Sequence, residues 1–240
     1  MSIITTSWDD GHPLDFRLAE LLHKYKLQGT FYIPKSNLEN EVMGEGEVAD
    51  LSKSFDIGGH TLSHIRLTNQ SALQMNDEIS GCYRWLTEIT GTAPVSFCFP
   101  GGRYNDMAIR VAFDAGFKIL RTTELLCTDA LNKNILPTTI QIFDHTSLTL
   151  TAHLLKRRKF GSLRLFIDIG RFKKLERLVE AYLHNVLSFG GCLHLWGHSW
   201  EIEQFNFWSR LEDIFSIVSN ISECTYVNNS ELHNLKLVAQ

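Results

Sequence analysis

Ser2-Ile3-Ile4-Thr5-Thr6-Ser7-Trp8-Asp9-Asp10-Gly11 decides the fold. Its first part is β-branched and aromatic, and it stops abruptly at two carboxylates and a glycine. That is a buried strand running into a turn. Leu14, Leu18, Leu21 and Leu22 follow at helical spacing, which predicts an amphipathic helix over about 14–26. Gly29-Thr30-Phe31-Tyr32-Ile33 then reads as a second strand, closed by Pro34.

The alternation continues outward from this unit. Residues 35–50 are polar and read as an excursion from the core. Residues 55–59 form a short strand entering His60, residues 71–90 have helical periodicity, and 95–99 is a strand ending at Pro100-Gly101-Gly102. Asn105 or Asp106 caps the next helix, which stops near Gly116, and 117–121 is strand-like. From 122 to 165 no clean period is present. Helices near 171–187 and 206–219 and strands at 192–196 and 224–227 complete the chain. Such alternation predicts an α/β fold with a parallel sheet, whose strand ends build the active site.

The chain has 240 residues, 44% of them hydrophobic and 21% charged, with a net charge of −4. No basic face dominates, so nucleic acid is not expected as a partner. Lys156-Arg157-Arg158-Lys159 reads either as a solvated helix end or as a contact for an anionic substrate or lipid headgroups. Cys82, Cys98, Cys127, Cys192 and Cys224 are odd in number and form no CxxC, which suits a reducing compartment. The first residues carry no secretory pattern and no stretch is long and apolar enough to span a membrane, so a cytoplasmic protein is expected.

Four polar clusters fall just after strands. Asp9 and Asp10 repel each other unless they are solvated in a turn or share a cation. On an extended chain they point to opposite sides, so one can bind a metal while the other faces water. His60 and His64 stand at i and i+4, and one helical turn would bring both imidazoles to one ion. Two histidines and one carboxylate leave coordination positions open, as catalytic sites do. Gly101 allows a backbone N–H to approach a developing oxyanion. His194, Trp196 and His198 share a strand face by period two, with His198 at the end and His194 deeper, as a hydrogen-bonded core residue.

Together these stretches resemble the polysaccharide deacetylase (NodB-homology, carbohydrate esterase family 4) domain. Ser7-Trp8-Asp9-Asp10-Gly11 resembles its first motif, T/S-F-D-D-G, and His60-Thr61-Leu62-Ser63-His64 its second, H-S/T-x-x-H. Phe97 to Gly102 resembles its third, R-x-P-x-G, and Leu193 to His198 its fifth, a strand ending in histidine. The opening and the His194–Glu201 stretch look closest to the bacterial gellan-lyase-like branch.

The resemblance implies a distorted (β/α)7 barrel over residues 1–240 as one catalytic domain, with a divalent metal, most commonly Zn2+. It implies Asp10, His60 and His64 as ligands, Asp9 as base, His198 as acid and the Gly101 N–H as oxyanion donor. Trp200, Arg103 and His12 are the candidates for substrate contact. The implied reaction is metal-dependent removal of an N-acetyl group from a saccharide or a nucleotide- or lipid-linked precursor, in surface-polysaccharide or lipopolysaccharide biosynthesis. A deformylase, a cyclic-amide hydrolase and an inactive carbohydrate-binding domain are the alternatives. Two departures stand out. Cys98 occupies the third-motif arginine position, with Arg103 or Arg121 available to replace it. The fourth-motif aspartate has no clear counterpart, and Asp129 is the candidate to tune His198.

Overall fold

The structure, a computed structural model, describes residues 1–131, 133–156, 158–168, 170 and 174–238. The opening unit forms as its pattern dictates: β1 (Ser2–Asp9), α1 (Asp15–Tyr25) and β2 (Gly29–Ile33). Every residue of β1 and β2 is buried, which is why they lack hydrophobic alternation. β3 (Asp56–Gly59), α3 (Ala72–Thr90), β4 (Ser96–Cys98), α4 (Asp106–Ala115) and β5 (Ile119–Arg121) follow. Helix α4 starts where Asn105 Oδ1 accepts the Ala108 amide at 2.9 Å.

Three stretches differ from expectation. The polar 35–50 segment contains α2 (Glu45–Leu51), whose start is fixed by the Gly44 amide donating to Glu47 at 2.8 Å. Only Val48 and Leu51 of this helix are buried, too few to reveal a period. The 122–165 region holds β6 (Ile135–Leu136), β7 (Ile140–Gln141), α5 (Ser147–Lys156) and the start of α6 (Phe160–Asp168). Two-residue strands cannot show alternation, and α5 and α6 carry apolar residues on their exposed as well as their buried faces. The helix expected near 171–187 is α7 (Leu175–Phe189); residues 171–173 lie outside the described residues. β8 (Gly191–Gly197), α8 (Ser199–Gln204), α9 (Trp208–Val218), β9 (Cys224–Tyr226) and α10 (Asn229–Val238) end the chain.

All strand pairs are parallel, in the order β6-β5-β4-β3-β2-β1-β8-β7. β9 lies along Ser2–Ile4 of β1, where β2 has not yet begun to pair. The two ends of the order, β6 and β7, are joined by Pro137-Thr138-Thr139 alone. The sheet therefore curls back on itself into the distorted (β/α)7 barrel, with helices outside. Leu18 and Leu22 of α1, Tyr182 and Val186 of α7, and Leu211 and Phe215 of α9 cover the sheet in one continuous core. Gly58 is required in β3 because a Cβ there would stand 2.4 Å from the Tyr32 ring. Among the described residues no helix is long and apolar enough to cross a membrane.

Candidate active site

Parallel strands aim every C-terminal end at the same rim. Asp9 and Asp10 leave β1, His60 leaves β3, Pro100-Gly101 follows β4, and His198 follows β8. These residues line one cleft of about 850 Å3, together with Trp196 and Trp200.

Asp10, His60 and His64 come together, with ligand atoms all within 4.8 Å of one another. Asp10 Oδ1 lies 3.1 Å from His64 Nε2 and 3.5 Å from His60 Nε2. The expected helical turn is absent: residues 60–64 form a bent loop. Thr61 and His64 take left-handed backbone angles (φ 66° and 53°), as does Asp10 (φ 81°). Such angles in non-glycine residues cost roughly 1–3 kcal/mol each and cluster at functional sites.

His60 Nδ1–H donates to the Cys98 carbonyl at 2.8 Å, so its Nε2 lone pair faces the Asp10 carboxylate. A lone pair and an anionic oxygen at that distance repel unless a proton or a cation sits between them. Donor atoms sharing one ion through bonds of about 2.1 Å stand roughly 3–3.5 Å apart, so this donor set fits a divalent cation. Trp200 Nε1 donates to the other Asp10 oxygen at 2.8 Å and orients it. Burial pushes the Asp10 carboxyl upward, but His60, His64 and the charge of His198 outweigh it and hold the group well below the ordinary carboxylate range. Asp9, His60 and Cys98 also lie close together. There, however, a guanidinium already sits between the acid and the sulfur.

That guanidinium belongs to Arg121. Its Nη1 donates to Asp9 Oδ2 at 2.9 Å and to Cys98 Sγ at 3.1 Å. β5 and β1 are separated by three strands in the sheet, so Arg121 reaches Asp9 across the barrel interior. Its guanidinium is sandwiched there against Trp196, 4.3 Å from the ring centroid. Of the two arginines available to replace the third-motif residue, Arg121 makes the contact. Arg103 borders a separate pocket with Tyr104, Glu124 and Lys159. Asp9 Oδ1 is buried and has no hydrogen-bond partner among the described residues.

His198 Nδ1–H donates to Glu201 at 2.5 Å. Burial alone would lower the imidazole, but Glu201 and then Asp10 and Asp9 lift it above its ordinary value. Glu201 therefore fills the place expected of Asp129, which is exposed and paired with Lys133. Glu201 was findable in the sequence: it stands three residues after His198, one turn into α8. His12 also lies off the cleft lining, its Nδ1 accepting the Leu14 amide at 3.1 Å. Gly101 lines the cleft at φ 61°, a backbone position suited to glycine.

His194 is a core residue. Arg121 Nε and Nη2 both donate to Ser7 Oγ, so that hydroxyl gives its own proton to His194 Nε2 at 2.9 Å. Burial, reinforced by the Arg121 charge, pushes His194 down to about 3. Below about pH 6.5 the unfolded chain takes up a proton here that the folded chain refuses, so this site lowers stability as pH falls. Wild type is expected to lose about 2 kcal/mol more than His194→Gln between pH 7 and pH 5. Urea titrations at the two pH values measure this, and parallel losses would contradict it.

Residues 2–120 match the model of the polysaccharide deacetylase family. A peptidoglycan-N-acetylglucosamine deacetylase of Bacillus cereus is 29% identical over 122 residues, covering 48% of this chain and 54% of that protein. The chain spans about half the length of the curated relatives it matches. A Mycobacterium smegmatis chain assigned to the polysaccharide deacetylases superposes with a TM-score of 0.66 at 11% identity, over 99% of this chain and 91% of that one. A family 4 acetyl xylan esterase from Clostridium thermocellum, solved with a cobalt ion, gives 0.58 at 16% identity, over 97% and 91%. With these motifs gathered at one barrel rim, the chain carries a polysaccharide deacetylase domain.

Proposed function

We propose that residues 1–240 act as one catalytic domain that hydrolyses an N-acetyl group from a saccharide, releasing acetate and a free amino sugar. The observation that carries this reading is the pairing of a three-donor cluster, Asp10, His60 and His64, with Asp9. The base has one oxygen held by Arg121 and the other buried with no hydrogen-bond partner among the described residues. The likeness to the Bacillus cereus peptidoglycan-N-acetylglucosamine deacetylase supports an N-acetyl substrate. The five free cysteines support a reducing, cytoplasmic setting, and with it a nucleotide- or lipid-linked precursor in surface-polysaccharide synthesis.

Asp10, His60 and His64 would hold the divalent cation, and the nitrogen-rich donor set favours Zn2+. When bound, it supplies Lewis acidity and a lowered pKa for water. Asp9 Oδ1 accepts the proton of the attacking water, and Arg121, bonded to the other oxygen, aims the carboxylate. The Gly101 N–H donates to the carbonyl oxygen as it gains charge. His198 holds one proton on Nδ1 against Glu201 and delivers the other, from Nε2, to the departing nitrogen. The C–N bond breaks, water adds its oxygen to the acyl carbon, and the amine leaves neutral. Trp196 and Trp200 form the apolar wall beside the acetyl methyl.

The leaving group tests this scheme. An amine needs a proton to depart, whereas an activated phenolate does not. His198→Ala is expected to reduce kcat/KM for an N-acetylated saccharide by roughly 10²–10⁴-fold and for an aryl acetate by far less. An equal loss on both would assign His198 to positioning. A parallel panel of N-acetyl, N-formyl and cyclic amide substrates is expected to show preference for the N-acetyl sugar. A faster reaction on either of the other two would move the assignment to that chemistry.

A further inference from the structure

Between Asp144 and Asp168 the chain has no carboxylate and five cations, Lys156, Arg157, Arg158, Lys159 and Arg164, in a protein whose net charge is −4. Arg157 lies outside the described residues. This segment folds as α5 and α6, which pack against each other beside the catalytic cleft. One face of the hairpin is core: Leu150, Leu154 and Phe166 are buried. The opposite face is apolar too. Leu148, Ala152 and Leu155 stand at i, i+4 and i+7 of α5, all exposed, with Leu148 and Leu155 at 82% and 50%. Phe160 and Ile167, seven apart on α6, are 64% and 48% exposed.

A solvated charge run explains the cations but leaves the two exposed apolar rows without a reason. Apolar rows fringed by cations, with Asp168 at the far end of α6 as the one acidic residue of the two helices, have the composition of a surface that enters the boundary between headgroups and acyl chains. Among the described residues Lys156, the last of α5, and Arg158, between the two helices, are exposed and have no ion-pair partner. The hairpin also adjoins the site: His145, which lines the catalytic cleft, shares a neighbouring pocket with Leu148.

We propose that the α5–α6 hairpin is an interfacial docking surface that seats the cleft on an anionic bilayer. Its consequence, resting on the deacetylase reading above, is that the saccharide acted on is lipid-linked and met at the membrane surface.

Sedimentation with vesicles tests the surface without any substrate, so its outcome is independent of the catalytic assignment. The full chain is expected to partition at least tenfold better onto vesicles of phosphatidylglycerol and phosphatidylcholine than onto phosphatidylcholine alone, and to be released by salt. Lys156→Gln with Arg158→Gln should weaken binding about fivefold per cation removed. Leu155→Glu with Phe160→Glu should weaken it at least tenfold while leaving acetate release from a soluble substrate, and the melting temperature, unchanged. Equal partitioning of wild type onto both vesicle types would overturn the proposal. So would full binding by the Leu155/Phe160 variant alongside loss in the Lys156/Arg158 variant, a pattern that marks a soluble polyanion. Should the Leu155/Phe160 variant melt early, the lipid preference of wild type and the Lys156/Arg158 variant still decide the question.

Discussion

Asp9→Asn protein is expected to bind its cation at the wild-type level and to release acetate roughly 10²–10⁴-fold more slowly. The two side chains have the same shape, and Asp9 contributes no atom to the Asp10, His60 and His64 cluster. What the substitution removes is the proton-accepting oxygen, Oδ1, which is buried with no hydrogen-bond partner among the described residues. The loss should fall on kcat with little change in KM, since the carboxylate acts on water rather than on the sugar. Equilibrium dialysis alongside steady-state kinetics measures both quantities. A variant that loses the cation instead would exchange the roles of the two aspartates.

Arg121→Ala should be the most damaging single change to stability. The guanidinium is fully buried and satisfies Asp9, Cys98 and Ser7 at once. Removing it leaves a buried carboxylate without its counter-charge, at a cost of about 3–5 kcal/mol. For a chain of this length that is a fall of roughly 10 °C in melting temperature. Activity should fall as well, because Asp9 loses the group that orients it. Cys98→Arg offers a way to separate the two effects. Cys98 Sγ lies 3.1 Å from the Arg121 Nη1 position, so an arginine at 98 can bring its charge to the same place. In the Arg121→Ala background it is expected to restore part of the acetate release. A double variant as inactive as the single one, though folded, would show that Arg121 does more than orient the base.

The candidate site was legible where chemistry and strand ends coincide. Asp9-Asp10, His60 with His64, and His198 each follow a strand, and parallel strands bring such positions to one rim whatever the details of their turns. The turn itself was not legible: left-handed angles at Thr61 and His64 gather the imidazoles, where a helix was expected. Arg121 was visible as one of two alternatives, and only barrel curvature, which brings β5 opposite β1, decides between them. Glu201 was overlooked because its partner is set by the first turn of α8 rather than by a strand end. The 122–165 region resisted for a different reason. Two strands of two residues have no period, and α5 and α6 expose apolar residues on the face where a helix pattern expects polar ones.

The most direct measurement is acetate release from an N-acetylated oligosaccharide by chain stripped of metal, then titrated with Zn2+. Release should vanish on chelation and return in full at one equivalent per chain, with Asp10→Ala and His64→Ala failing to recover at that ratio. Metal-free chain that deacetylates at the wild-type rate would contradict the account, as would loaded chain that releases no acetate from any N-acetylated saccharide.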